Sequence, residues 1–204
     1  RHYIKLWNCE NLLNTFKQPI PIDANHLFCA HHPLIPTIYF TGRIDHRYCI
    51  YTYNSVHDKI DLLSSYSYPL CQFKFIESGM SYYICKKNRN NTYSNCICEV
   101  ENNMILYDIK ENATIQKALY NEEHRIIVNG ALDGTVKIYD KRSKKKSILN
   151  FKHTSSIQDM ASSNFYLYIT NGSQISHHDI RFPYKCIHEL SPTSDVLALT
   201  CNDN

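Results

Sequence analysis

The chain has 204 residues, of which 43% are hydrophobic and 20% charged, and a formal net charge of +3. That length buries a real core without staples, and the mild charge excludes a strong chain-wide nucleic-acid field while leaving local patches open. Sixteen tyrosines against five glycines and one tryptophan favour strands and argue against glycine-cradled phosphate loops.

In chain order the predicted elements are strands. "RHYIKLWN" closes on Trp7-Asn8, and "TIYFTGRIDHRYCIYTYN" places two alternating runs about a turn containing Asp45 and closes on Tyr53-Asn54. "KKNRNNTYSN", residues 86–95, reads as a polar loop insertion. "NNMILYD" closes on Tyr107-Asp108. The clearest unit is "IIVNGALDGTVKIYDKRS", residues 126–143. A β-branched run meets an Asp133-Gly134 turn, and a second run closes on Tyr139-Asp140. "DKRSKKKS" then packs Lys141, Arg142, Lys144, Lys145 and Lys146 into a predicted exposed link. "FYLYITNGSQISHHDIR" carries His178-Asp179, and "SDVLALTCNDN" reads as the first strand of a further unit.

The aromatic (or His)–acid (or Asn) endings stand 46, 54, 32 and 39 residues apart. The mean of about 43 falls within the roughly 40–45 residues of one four-stranded propeller blade. The interval after Asp108 is about one strand short, so an incomplete blade is expected there.

On these residues the chain resembles the WD-repeat β-propeller family. "GALDGTVKIYDKR" carries the likeness best: Asp133 holds the family's turn position, and Tyr139-Asp140 stands where Trp-Asp would. "FCAHHP" looks like the end of a first strand, and His153 looks like the histidine that precedes one. The family's hydrogen-bonded set of Asp, His, Ser or Thr and Trp is nowhere complete. The resemblance implies an all-β propeller of about four to five blades, a fragment of a seven-bladed ring. It implies one domain over residues 1–204, incomplete at both ends.

The chemistry-bearing residues form no catalytic signature: GxSxG, HExxH and a Walker loop are absent from the sequence. Adjacent strand residues point to opposite faces, so His31-His32 and His177-His178 are not expected to grip one metal. Cys96 and Cys98 share a strand face but do not complete a zinc site. The nine scattered cysteines, with no CxxC, read as reduced and mostly buried thiols of a cytoplasmic or nuclear protein. The Asn-x-Ser/Thr matches at Asn90, Asn112 and Asn171 are expected by chance, and the Asn, Lys, Ile and Tyr content hints at an AT-rich, eukaryotic source.

The expected function is a non-catalytic scaffold that binds other proteins, with no cofactor, metal, membrane or small-molecule substrate. Two alternatives stand beside it. Arg142 and Arg181 each follow an Asp by two residues in consecutive units, and the resemblance links such paired boxes to substrate receptors of cullin–RING ubiquitin ligases. The basic run Lys141, Arg142 and Lys144 to Lys146 would suit RNA contact in an RNA-processing or ribosome-assembly scaffold.

Overall fold

The computed structural model describes residues 29–35, 37–44, 47–54, 56–57, 59–76, 79–143, 146–182 and 186–201. Trp7, Asn8, Cys9, Asp45, Lys144 and Lys145 lie outside the described residues.

Among the described residues, sixteen strands form four antiparallel sheets of four, each strand paired with its sequence neighbour. The first sheet holds β1 (Cys29–His31), β2 (Thr37–Ile44), β3 (Arg47–Asn54) and β4 (Lys59–Tyr66). The second holds β5 (Leu70–Ile76), β6 (Ser81–Lys87), β7 (Tyr93–Glu99) and β8 (Ile105–Glu111). The third holds β9 (Ile115–Asn121), β10 (Ile126–Ala131), β11 (Thr135–Asp140) and β12 (Ser147–Lys152). The fourth holds β13 (Asp159–Ser163), β14 (Tyr166–Thr170), β15 (Ile175–Asp179) and β16 (Cys186–Leu190). The first strands of successive sheets, β1, β5, β9 and β13, touch in order. They are the inner strands of four consecutive propeller blades, and β4, β8, β12 and β16 form the rim.

The burial pattern follows from stacking. A middle strand is covered on both faces, so it reads as an unbroken apolar run rather than an alternation. Every residue of β10 is buried, whereas every residue of rim strand β16 is exposed. Three clusters fill the gaps between sheets. Tyr39, Phe73, Phe75, Tyr82 and Ile84 join the first sheet to the second. Ile76, Tyr83, Ile97, Tyr120 and Ile127 join the second to the third, and Val128, Ile138, Ile157, Leu167 and Ile169 join the third to the fourth. Each buried isoleucine or leucine contributes roughly 1.5–3 kcal/mol relative to exposure.

Register gives the true repeat. Ile127 pairs with Tyr139, Ile38 with Tyr53, Tyr82 with Cys98 and Leu167 with His178. The equivalent third-strand endings are therefore Tyr53-Asn54, Cys98-Glu99, Tyr139-Asp140 and His178-Asp179, at 45, 41 and 39 residues. The structure departs from three expectations. Tyr107-Asp108 lies on the rim strand β8, not a third strand. The second sheet lacks no strand. Residues 86–95 are the β6–β7 hairpin turn and its flanking strand ends, not an insertion. The Tyr107-Asp108 dipeptide makes β8 resemble a third strand, while the real one, "YSNCICE", is buried almost throughout and carries no aromatic–acid ending.

Residues 191–201 form no strand, contrary to the expected first strand of a further unit. They lie against the fourth sheet, where the Val196 N–H donates to Gly172 O (2.8 Å) and the Leu199 N–H to Asp159 Oδ2 (2.8 Å).

The third sheet's turn shows why Asp-Gly is required. Asp133 Oδ1 accepts from the Thr135 N–H (3.0 Å), and Oδ2 from the Thr135 hydroxyl (2.9 Å). Gly134 has φ +84°, and a Cβ there would stand 2.6 Å from the carbonyl oxygens of both His153 and Ser155. Its own carbonyl accepts from the His153 N–H (2.9 Å). The turn is thus clamped to the segment that leads into the fourth sheet.

Polar side chains pin the sheet interfaces where the end of one rim strand meets the third strand of the next sheet. Between the second and third sheets, Glu111 is buried and accepts hydrogen bonds from Lys137 Nζ (2.8 Å) and the Tyr139 hydroxyl. Burial would raise its carboxyl pKa. The hydrogen bonds from Lys137, Tyr139 and the Ala113 N–H outweigh that and hold it low. Between the third and fourth, His153 meets His178 edge-on with ring centroids 5.4 Å apart, and its Nε2 lies 3.4 Å from Ser176 Oγ. Burial, then the neighbouring His178, depress the His153 pKa to about 4. The expectation that His153 precedes a first strand holds, since β13 follows it.

Candidate functional site

Chain direction sorts the loops. In an up-and-down sheet, the first-to-second and third-to-fourth strand connections leave on one side of the blade, and the other connections leave on the opposite side. The first side is called the arginine side here, because Arg142 and Arg181 stand on its third-to-fourth turns.

Those two turns are built alike. The Arg142 N–H donates to Asp140 Oδ1 (2.8 Å), Nε to Oδ1 (2.9 Å) and Nη2 to Oδ2 (2.7 Å). The Arg181 N–H donates to Asp179 Oδ1 (2.9 Å), Nε to Oδ1 (2.9 Å) and Nη2 to Oδ2 (2.6 Å). In each box the forked edge of the guanidinium already grips its own carboxylate. The arginine holds each Asp carboxyl below the usual range, and each guanidinium is raised in turn. The first sheet makes the same turn without an arginine, Asn54 Oδ1 accepting from the Val56 (2.9 Å) and His57 (3.2 Å) N–H groups. The turn therefore needs only the short acceptor side chain, and the arginine is an addition. Arg181 also lies over the Phe165 ring, 4.4 Å from its centroid, and Phe165 stacks on His124 at 4.1 Å.

Apolar exposure on the loops is one-sided, which the sequence reading missed. On the arginine side, Leu34 (71%), Val56 (68%), Met80 (66%) and Phe182 (69%) are exposed, and Ile35, Met104 and Phe165 add to them. On the opposite side, the large hydrophobics exposed off the strands among the described residues are Leu132 and, in the segment after β16 that pairs with Gly172, Leu197. In the first, second and fourth sheets the inner and outer turns of the arginine side are thus both apolar, and the two guanidinium boxes stand on the outer turns of the third and fourth sheets. Of the basic run, Lys141 and Lys146 follow Asp140 on this same side, and Lys146 is exposed.

Other candidate residues separate. His32 is buried, its Nε2 3.0 Å from Gly79 O, and it packs edge-on to Phe75. His177 stacks on Tyr168 at 4.6 Å on one face of the fourth sheet, and His178 packs with Phe151 on the other. Cys49, Cys85, Cys96 and Cys98 are buried, but Cys29 and Cys186 are exposed, so the expectation of mostly buried thiols holds only for part of the set. Burial lifts the Cys96 thiol pKa to about 12, and Cys96 Sγ donates to Asp108 Oδ1 (3.5 Å). A hollow of about 440 Å³ opens above it, lined by Lys86, Arg89, Lys110 and Asp108 among others.

The comparisons with known proteins agree with this architecture. The chain is similar to the Dos1 propeller (TM-score 0.63, 9% identity), over 79% of this chain and 45% of that one. It is similar to a chain in the mitotic checkpoint complex (TM-score 0.63, 15% identity, 86% and 55% covered). It is also similar to Sqt1 of Saccharomyces cerevisiae (TM-score 0.74, 12% identity, 98% and 60% covered). At these identities the likeness shows the fold: a propeller. The chain spans about half the length of the solved chains it matches. No protein-family model and no curated protein sequence matches it.

Proposed function

We propose that this chain is a stretch of a WD-repeat propeller that acts as a non-catalytic scaffold in the cytoplasm or nucleus, binding partner proteins through its arginine side. The WD-repeat assignment is supported by equivalent positions. Asp133 closes a second-to-third strand turn, Tyr139-Asp140 and His178-Asp179 end third strands, and His153 precedes an inner strand.

The observation that carries the scaffold reading is the one-sided loop exposure. Scattered exposed hydrophobics are ordinary, whereas apolar residues gathered on one side with arginines among them mark a protein-binding surface. One of the similar structures, a chain in the mitotic checkpoint complex, fits the same reading.

The test compares three proteins as baits in a native lysate, with captured proteins identified by mass spectrometry. Wild type and Leu132→Asp, altered on the opposite side, are expected to hold the same partners. Met80→Asp combined with Phe182→Asp is expected to lose them. Equal capture by all three baits overturns the reading.

The two matching boxes favour a second reading, a cullin–RING substrate receptor whose arginines meet the adaptor. Arg142→Glu with Arg181→Glu would then abolish adaptor capture while the sheets stay folded. Because the forked edges are occupied by Asp140 and Asp179, an adaptor carboxylate would have to approach the remaining guanidinium edge.

A further inference from the structure

Sequence spacing gives Cys71 and Cys85 no relation, but the second sheet brings them together. Leu70 pairs with Lys86 and Gln72 with Cys85, so the register shifts and Cys71 is the extra residue of a β-bulge. In a bulge, two residues of one strand oppose a single residue of its partner. Cys71 and Gln72 therefore both oppose Cys85. Cα separations between such neighbours fall within the span a disulfide bridges. Both side chains belong to the cluster between the second and third sheets, and Cys85 donates a thiol hydrogen bond to Cys71.

We infer that Cys71 and Cys85 form a peroxide-sensitive dithiol that closes reversibly to a disulfide across this bulge.

The two thiols differ in the way such chemistry needs. Cys71 is half-buried and within reach of a small oxidant, while Cys85 is fully buried. The hydrogen bond from Cys85, against the opposing effect of burial, and the charge of Lys87 lower the Cys71 pKa. The same hydrogen bond, with burial, raises that of Cys85 well above its ordinary value. The accessible sulfur thus gives up its proton more readily than the buried one. The Cys71 thiolate attacks one oxygen of hydrogen peroxide, the O–O bond breaks, and hydroxide leaves to be protonated to water. The product is a sulfenic acid at Cys71. The Cys85 sulfur then attacks the sulfenic sulfur, forming the S–S bond. Its proton departs with the displaced hydroxide as a second water. Two thiols are oxidised by two electrons and one peroxide is reduced. A small-molecule dithiol reverses the step by exchange.

Cys96 and Cys98, on the neighbouring strand β7, do not compete, because they belong to the cluster between the first and second sheets and not to the one that holds Cys71 and Cys85. The test treats the folded 204-residue chain with one equivalent of hydrogen peroxide, alkylates the remaining thiols, and maps linked peptides by mass spectrometry before and after reduction. The expected result is a Cys71–Cys85 crosslink as the first product, with the loss of two free thiols. In Cys85→Ser the sulfenic acid at Cys71 has no resolving partner and is trapped by dimedone. In Cys71→Ser, Cys85 stays reduced. Peroxide that leaves Cys85 alkylatable in the wild type, with Cys71 unmodified or over-oxidised to a sulfinic acid, overturns the inference without any variant.

Discussion

The interface between the second and third sheets and the one between the third and fourth solve the same problem with opposite chemistry. In both, the end of a rim strand reaches the third strand of the next sheet. At Glu111 the solution is ionic, a buried carboxylate held by Lys137 and Tyr139. At His153 it is neutral, an imidazole packed on His178 and Phe151 beside Ser176. A buried carboxylate is tolerable only while its partners stand, so the ionic pin is the brittle one. A neutral histidine costs little to bury and becomes a liability only when the surroundings protonate it. The propeller geometry thus fixes where a polar pin goes, and leaves its chemistry open.

Breaking the ionic pin has the largest expected effect. Glu111→Ala leaves the Lys137 ammonium and the Tyr139 hydroxyl at the interface without their acceptor. It is expected to cost roughly 3 kcal/mol in a urea titration, near the lower end for a broken buried pair because Lys137 is partly exposed. Next is Gly134→Ala, on the side of the neutral pin. Its Cβ would meet two backbone carbonyl oxygens at 2.6 Å at φ +84°, for an expected loss of about 2 kcal/mol. Tyr139→Phe removes one of the two side-chain donors to Glu111 and is expected to cost about 1 kcal/mol. If Glu111→Ala costs no more than Tyr139→Phe, the ionic description of this interface is wrong.

A fourth substitution sharpens the contrast from the other direction. Asn129 is 1% exposed, and neither atom of its amide has a hydrogen-bond partner among the described residues. By register from the third strand, Ile84 and Ile169 hold the same position in the second and fourth sheets. Asn129→Ile is therefore expected to stabilise the chain by about 1 kcal/mol, since an unsatisfied buried amide gives way to apolar contact. A loss of stability would mean that the amide has a partner that the apolar side chain cannot replace.

How much of this was legible in the sequence follows from which signals survive burial. The third sheet announces itself because Asp133-Gly134 is dictated by backbone geometry and Tyr139-Asp140 by the turn that follows. The second sheet hides because β6 and β7 are covered on both faces. "SYYICKK" and "YSNCICE" show no alternation, and Cys98-Glu99 takes the place of the expected aromatic ending. The eye is drawn instead to the rim strand β8, which carries Tyr107-Asp108 in its middle. The arginine boxes were readable as a motif, but not their self-sufficiency, which depends on both carboxylate oxygens turning back to the same guanidinium. The one-sided apolar exposure depends on which connections share a side, and a linear pattern gives that only after every strand has been placed. The Cys71–Cys85 pairing needed the bulge, which no spacing rule reveals.

A pH series separates the two pins. His153 has a folded pKa of about 4 against an ordinary 6.5. Between these values the unfolded chain binds the proton more readily. The contribution of the neutral pin is thus complete above 6.5, declines as pH falls, and is gone once pH has passed through about 4. Glu111 is also lowered, from an ordinary 4.5, so its contribution is complete above 4.5 and is lost only as pH falls through its lower folded value. Urea midpoints measured from pH 7.5 to 5 should therefore fall in the wild type. They should fall with a shallower slope in His153→Phe, which cannot take up the proton. Over that range Glu111→Gln should lower every midpoint while leaving the slope unchanged. Parallel slopes for wild type and His153→Phe would show that the imidazole is not held neutral by its burial. The two interfaces would then differ in sequence but not in electrostatic design.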